Sequence, residues 1–173
     1  TRIADLAERP TSTHARGAVG VIGQCGQLIE HGRVDTTRGQ FLGRLLIEAG
    51  IPVVQPPGTH AIFLDVKRFL PHIDQDEYPA QRLAAEIYIE SGVRTMERGK
   101  VSKGRDPKTG ENYRPPLELV RLTIPRRAYT SDHMRAVADA IVRVWARRDE
   151  IKGLKFVYEP EKLRFFQGRF ESL

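Results

Sequence analysis

Two arginines stand where a strand would ordinarily carry an apolar side chain, inside the segment 97–126, ERGKVSKGRDPKTGENYRPPLELVRLTIPR. In residues 117–125 (LELVRLTIP), strand alternation puts Val120, Leu122 and Ile124 on one face and Leu119, Arg121 and Thr123 on the other. Both faces are largely apolar, so the strand is expected to be covered on both sides. Arg121 would then be buried or lining a cleft, and an arginine there needs a partner. Its guanidinium fork matches a carboxylate bidentately. An internal salt bridge to an Asp or Glu is the first expectation for that carboxylate, and a ligand is the second. Arg98 closes a shorter run, residues 93–98 (VRTMER), just before Gly99. A solvated arginine at a strand end is the ordinary reading there.

Other chemistry-bearing residues offer less. Cys25 is the only cysteine, which excludes an internal disulfide framework and a multi-cysteine zinc site and is compatible with a reducing cytoplasm. His60 sits at a turn and reads as structural or solvated. The four glycines between Gly17 and Gly26 lack GxGxxG spacing and a preceding strand, so they predict no dinucleotide site. Phe165 and Phe166 form an aromatic pair among charges near the end, which suggests a docking patch or a lid.

These side chains need elements to hold them. Residues 15–31 read as a glycine-weakened helix. Asp35 or Thr36 is expected to cap a helix running through Phe41, Leu42, Leu45, Leu46 and Ala49, with Gly50 ending it. Short strands are predicted over 51–54 and 60–66, separated by Gln55-Pro56-Pro57-Gly58-Thr59. A short helix or turn follows over 67–73. The segment 79–90 predicts a helix with Leu83, Ala84, Ile87 and Tyr88 inward and Gly92 at its end. The two arginine-bearing strands should then return beside each other across a long loop that contains the Asp106-Pro107-Lys108-Thr109-Gly110 turn. Thr130 or Ser131 should cap a helix through Arg148, with Met134, Val137, Ala138, Ile141 and Trp145 as its core stripe. A last strand is expected over 152–158, followed by a tail. The order predicts an α/β fold, α+β-like in detail, with a small, mostly antiparallel sheet of three or four strands and helices packed on one side.

At 173 residues the chain suits one domain, or one and a piece, and can bury a real core. The formal charge of +6 raises the question of nucleic acid. The basic residues are interspersed with acids, as in Asp65/Lys67/Arg68 and Arg147/Arg148/Asp149/Glu150, and no basic stripe interleaved with aromatics appears. A mixed solvated surface is the better reading, so no nucleic acid is expected. No run suggests a membrane span and the start does not resemble a signal peptide, so no membrane and a cytoplasmic location are expected.

Longer motifs carry a further signal. GTHAIFLDVKRFLPHI, YPAQRLAAEIYIESGVRTMERG, GRDPKTG, ELVRLTIPRRAYTSDHM and IKGLKFVYEPEKLRFF occur in that order. Together they closely resemble the C-terminal part of the aromatic amino-acid β-eliminating lyases, the tyrosine phenol-lyases and tryptophan indole-lyases (tryptophanases). The likeness runs from about residue 35 to 173, while 1–34 is a poorly matching lead or the end of large-domain helices. The resemblance implies the small domain of the aspartate-aminotransferase fold. It also implies pyridoxal phosphate (PLP) as cofactor, elimination of phenol or indole to leave pyruvate and ammonia, and a homotetrameric enzyme. By position, Arg121 would clamp the substrate α-carboxylate. Arg98, in TMERG, would meet the phenolic end of the substrate, which points to the phenol branch. Met96 would line that pocket, and Phe165 and Phe166 would close over the ring.

The PLP-binding lysine has no counterpart here. Lys67, Lys100, Lys103, Lys108, Lys152, Lys155 and Lys162 lie in no fitting context, so the cofactor would be bound mainly by a missing large domain or subunit. The GGHA usual in the family reads Gly58-Thr59-His60-Ala61. The chain alone is expected to be inactive. A non-catalytic module that binds an amino acid or a protein partner is the alternative.

Overall fold

The computed structural model describes residues 37–125 and 127–173. The predicted helix over 15–31, Cys25, and the cap candidates Asp35 and Thr36 lie outside the described residues. The first described helix, α1 (Arg38–Glu48), is instead capped by Thr37, whose hydroxyl accepts from the Gln40 N–H at 3.2 Å. Its buried face includes Gly39, Leu42, Gly43 and Leu46. A Cβ at either glycine would collide with the Pro57–Thr59 turn, so these two positions let helix and turn touch.

A three-stranded antiparallel sheet follows, in the order β1 (Ala61–Asp65), β3 (Leu119–Thr123), β2 (Met96–Arg98). The two arginine-bearing strands do pair, with Met96 opposite Arg121 and Arg98 opposite Leu119. On its other edge β3 pairs with β1, placing Phe63 opposite Arg121 and Asp65 opposite Leu119. The strand predicted over 51–54 is reduced to one bridge, Val53 to Leu64. Pro52, Pro56 and Pro57 supply no N–H to extend a ladder. The short helix α2 (Val66–Phe69) begins at once after β1, with Asp65 accepting from the Arg68 N–H.

Helix α3 (Pro79–Ser91) starts on Pro79 at its first turn and ends at Gly92, near the predicted limits. Leu83 and Ile87 are buried as expected, but Tyr88 is 53% exposed. Glu86 takes an inward position instead, held by Arg82 at 2.8 Å and Arg147 at 2.6 Å. Helix α4 (Lys100–Lys103) follows β2 directly. Helix α5 (Ser131–Ala146) buries Met134, Ala138 and Ile141, while Val137 and Trp145 are partly buried against the core. It stops short of Arg148, where a 3-10 turn (Arg148–Glu150) takes over. The loop turn behaves as its residues dictate. The Asp106 carboxylate accepts from the Lys108 N–H at 2.8 Å, and Gly110 adopts φ +73°.

The tail is not irregular. The strand expected over 152–158 forms as β4 (Leu154–Tyr158), and it pairs with β5 (Arg169–Ser172) after the one-turn helix α6 (Arg164–Gln167). Four residues are too few for an alternation to stand out, yet Phe170 stacks at 4.1 Å on Phe156 and 5.7 Å from Tyr78. The main core joins α1, α3, α5 and the inner sheet face. A second, smaller cluster gathers Tyr78, Val101 and Leu154 with Phe156, Phe165 and Phe170.

Candidate functional site

The pleat of the three-stranded sheet sorts its residues into two sets. Ile62, Leu64, Glu97, Val120 and Leu122 point into the protein and are buried. Phe63, Met96, Arg98, Leu119 and Arg121 share the opposite face and are partly or fully accessible. Adjacent strands lie about 4.8 Å apart, so a row Phe63–Arg121–Met96 crosses this face, with Asp65–Leu119–Arg98 as the next row. Three of the sequence candidates, Arg121, Arg98 and Met96, are thus brought onto one surface. Phe63 belongs with them and was missed, because an aromatic in an apolar strand reads as core.

The salt bridge first expected for Arg121 is absent among the described residues. Its Nε is buried without a hydrogen-bond acceptor. The carboxylate facing this sheet surface, Asp65, lies one row over and caps α2. Nor is Arg121 covered on both sides as the pattern predicts, since Leu119 and Arg121 are only partly buried and Thr123 is exposed. Arg98 is exposed at the strand end, diagonal to Arg121. Two cations of fixed charge therefore stand on a partly apolar face, an arrangement that can take a ligand with a carboxylate and a second polar group.

The aromatic pair occupies a different place. Phe165 and Phe166 lie on α6, edge to face with centroids 5.0 Å apart. Phe165 packs against the small cluster, whereas Phe166 is 76% exposed. Phe166 borders an open groove of about 650 Å³ with Tyr158, Gln167, Gly168 and Arg169. Helix α6 rests on α4, which directly follows Arg98, so the pair is near the end of β2 but makes no ring contact with Arg121. Its neighbour Arg164 sits over the Phe156 ring and beside Glu159 at 2.9 Å. Arg105 grips the same Glu159 at 2.7 and 2.6 Å, which holds that carboxyl below its ordinary range. His60 is exposed before β1, as expected. Thr59 is exposed and has no left-handed backbone, so the turn accepts threonine.

No lysine here is placed to hold a cofactor aldehyde. Lys100 is 2% exposed and ion-paired to Asp76, and burial pushes its ammonium pKa down. Lys67 donates to the Pro116 carbonyl at 2.8 Å, Lys103 sits over Tyr113, and Lys155 pairs with Glu171. Lys108, Lys152 and Lys162 are exposed. The described residues do not by themselves fit PLP. Among them no group of three His, Cys, Asp or Glu could hold a metal, and no helix is long and apolar enough to cross a membrane.

Comparison with known proteins adds a separate line. The family model described as beta-eliminating lyase matches residues 29–140. The chain is 58% identical over 142 residues to a tyrosine phenol-lyase of Nostoc punctiforme, covering 82% of this chain and 30% of that protein. It is 61% identical over 134 residues to one from Symbiobacterium thermophilum, covering 78% and 29%. The tyrosine phenol-lyase of Clostridium tetani is 55% identical over 145 residues, covering 84% and 31%. The chain thus spans about 30% of the length of the relatives it matches.

Proposed function

The chain belongs to the β-eliminating lyase family, and from that premise we propose that it is the C-terminal, small-domain portion of a PLP-dependent carbon–carbon lyase acting on tyrosine. The overall change is tyrosine plus water to phenol, pyruvate and ammonia. The observation that carries the reading is the Arg121 guanidinium, without a carboxylate partner among the described residues, on the same sheet face as Arg98.

In this reading Arg121 clamps the α-carboxylate and fixes the amino acid, so that the bonds at Cα and Cβ are presented to the reacting groups. Arg98 meets the phenolic oxygen and selects a substrate that has one. Met96 supplies an apolar wall between the two charges. Phe165 and Phe166, carried on α6, close over the ring and exclude water while the Cβ–ring bond breaks and the ring carbon gains a proton. PLP, when bound, supplies the electron sink for bond cleavage at Cα. It is held by the rest of the enzyme, either a large domain or a separate subunit, in a homotetrameric, cytoplasmic assembly. Alone, this chain does not turn over tyrosine.

The test is the full-length holoenzyme that carries this chain, supplied with tyrosine. Phenol and pyruvate should appear in equal amounts, and absence of both overturns the proposal. That no lysine here is either free of a partner and buried in a cleft or otherwise placed for PLP favours one second reading, a module that binds an amino acid without catalysis. It requires that no polypeptide bearing a PLP lysine, whether fused or separate, restores lyase activity.

A further inference from the structure

Two acids sit where the sheet packs inward, and neither has a role in the reading above. Glu97 is 2% exposed and Glu118 is 1% exposed. Both are close in the fold to Arg98. Glu97 precedes it on β2, and Glu118 precedes Leu119, the residue paired with Arg98. Each carboxyl is spent on the short segment that begins immediately after Arg98. Glu97 Oε1 accepts from the Val101 N–H at 3.1 Å and Oε2 from the Ser102 N–H at 2.8 Å. Glu118 Oε1 accepts from the Lys100 N–H at 2.9 Å and from Gln75 Nε2 at 2.8 Å. Gly99, between Arg98 and this segment, has no room for a side chain, because a Cβ there would collide with the Glu118 carboxyl. Three successive backbone N–H groups after Arg98 are therefore tied to two buried carboxyl groups.

We infer that Glu97 and Glu118 are positioning residues that brace the turn after β2 and thereby fix the direction in which Arg98 leaves the sheet. This deepens the proposed function and rests on Arg98 reading the phenolic end of the substrate. An arginine at an exposed strand end has many rotamers, and a guanidinium that selects one oxygen gains from a backbone that cannot drift. The two acids differ in a way that makes the inference specific. Both hydrogen bonds to Glu118 converge on Oε1, and its Oε2 has none. An amide with its oxygen at Oε1 keeps both bonds, so Glu118→Gln should preserve the brace while Glu118→Ala destroys it. Glu97 uses both oxygens, so Glu97→Gln should already lose one bond.

The experiment uses the full-length holoenzyme and compares kcat/KM for tyrosine with that for β-chloroalanine, whose leaving group is a single chloride. Turnover of β-chloroalanine also reports that a variant is folded. Amide hydrogen exchange at Lys100, held by Glu118, and at Val101 and Ser102, held by Glu97, in the cofactor-free protein gives a readout independent of activity. Glu118→Ala should lower the tyrosine to β-chloroalanine ratio by about 10-fold, within the range that a displacement of about 1 Å can produce. It should also speed exchange at the Lys100 amide, the one Glu118 holds, and Glu118→Gln should restore the ratio. If Glu118→Ala does not fold, Glu97→Gln decides by the same ratio. An unchanged ratio in a folded variant, with Arg98→Ala still lowering it, overturns the brace and leaves the proposed function standing. A ratio that Arg98→Ala itself does not change overturns both.

Discussion

The two faces of the three-stranded sheet are built by alternate residues of the same three short strands, yet they answer to different demands. Toward the interior Ile62, Leu64, Val120 and Leu122 are buried within one continuous core. Toward the outside Phe63, Met96, Arg98 and Arg121 keep partial or full access, and the two arginines have no acid to neutralise them among the described residues. An inward position is set by volume, because a missing methylene leaves a void. An outward position is free of that volume constraint, and at Arg121 no packing or pairing within the described residues rewards the guanidinium. Neighbouring residues of one strand can therefore fail in opposite ways.

The sharpest way to break this contrast is to truncate adjacent positions of β3. Leu122→Ala should cost about 2–5 kcal/mol of stability, read as a lowered denaturation midpoint. Arg121→Ala should leave the midpoint nearly unchanged and cost about 2–5 kcal/mol in kcat/KM for every amino-acid substrate of the full-length holoenzyme, if the clamp is desolvated. Equal effects on stability from both would dissolve the distinction between the faces.

Arg98→Ala should be more selective. Loss of a hydrogen bond to a charged group is worth about 1.5–3 kcal/mol, and it should appear with tyrosine and not with a substrate that lacks a phenol. Parallel losses on both substrates would move Arg98 out of ring recognition.

A pH series tests the inward face. Burial pushes the carboxyl groups of Glu97 and Glu118 above their ordinary value of 4.5. The folded chain then keeps protons that the unfolded chain has released. Stability should be fullest below the ordinary carboxylate range and should fall as pH rises through the raised values. Lys67 and Lys100 face Glu118 and moderate the effect. Melting temperature against pH should show this decline, and Glu118→Gln should flatten it.

The smallest effect belongs to Phe166. At 76% exposure its truncation to alanine should change stability by no more than about 0.5 kcal/mol. Tyrosine turnover by the holoenzyme should nevertheless drop if the ring closes over substrate, and unchanged turnover would leave it as surface.

Much of the sheet was legible because alternation reveals parity. Val120, Leu122 and Ile124 fall together on paper as they do in space. Parity does not say what stands opposite a face, so the missing partner of Arg121 could not be read, and an internal salt bridge was the reasonable expectation. Tyr88 was misplaced inward because the apolar stripe of α3 is interrupted by Glu86, whose burial depends on Arg147 from a distant segment. The long ordered motifs pointed to the family from residues alone, and the family-model match bears that out. They did not reveal Glu97 and Glu118, since an acid in or beside a short strand looks solvated. One signal was present: Glu97 has the opposite parity to Met96 and Arg98, and Glu118 has the parity of Val120. An acid on the inward register of a strand is a candidate for a structural task.

The order of strands has a consequence for how such a chain is made. The central strand, β3, is the last of the three to be synthesised, and it pairs with residues 61–65 on one side and 96–98 on the other. Until Thr123 has left the ribosome, β1 has only the single Val53–Leu64 bridge and β2 has no strand beside it, so each keeps an open edge in a nascent chain. Arrival of β3 seals both edges at once across long sequence separations, a late and non-local event. The same event installs Arg121 between Phe63 and Met96. A polypeptide interrupted before that point would have neither the three-stranded sheet nor the row of Phe63, Arg121 and Met96, so translation itself makes assembly of the scaffold and assembly of its outward face a single step.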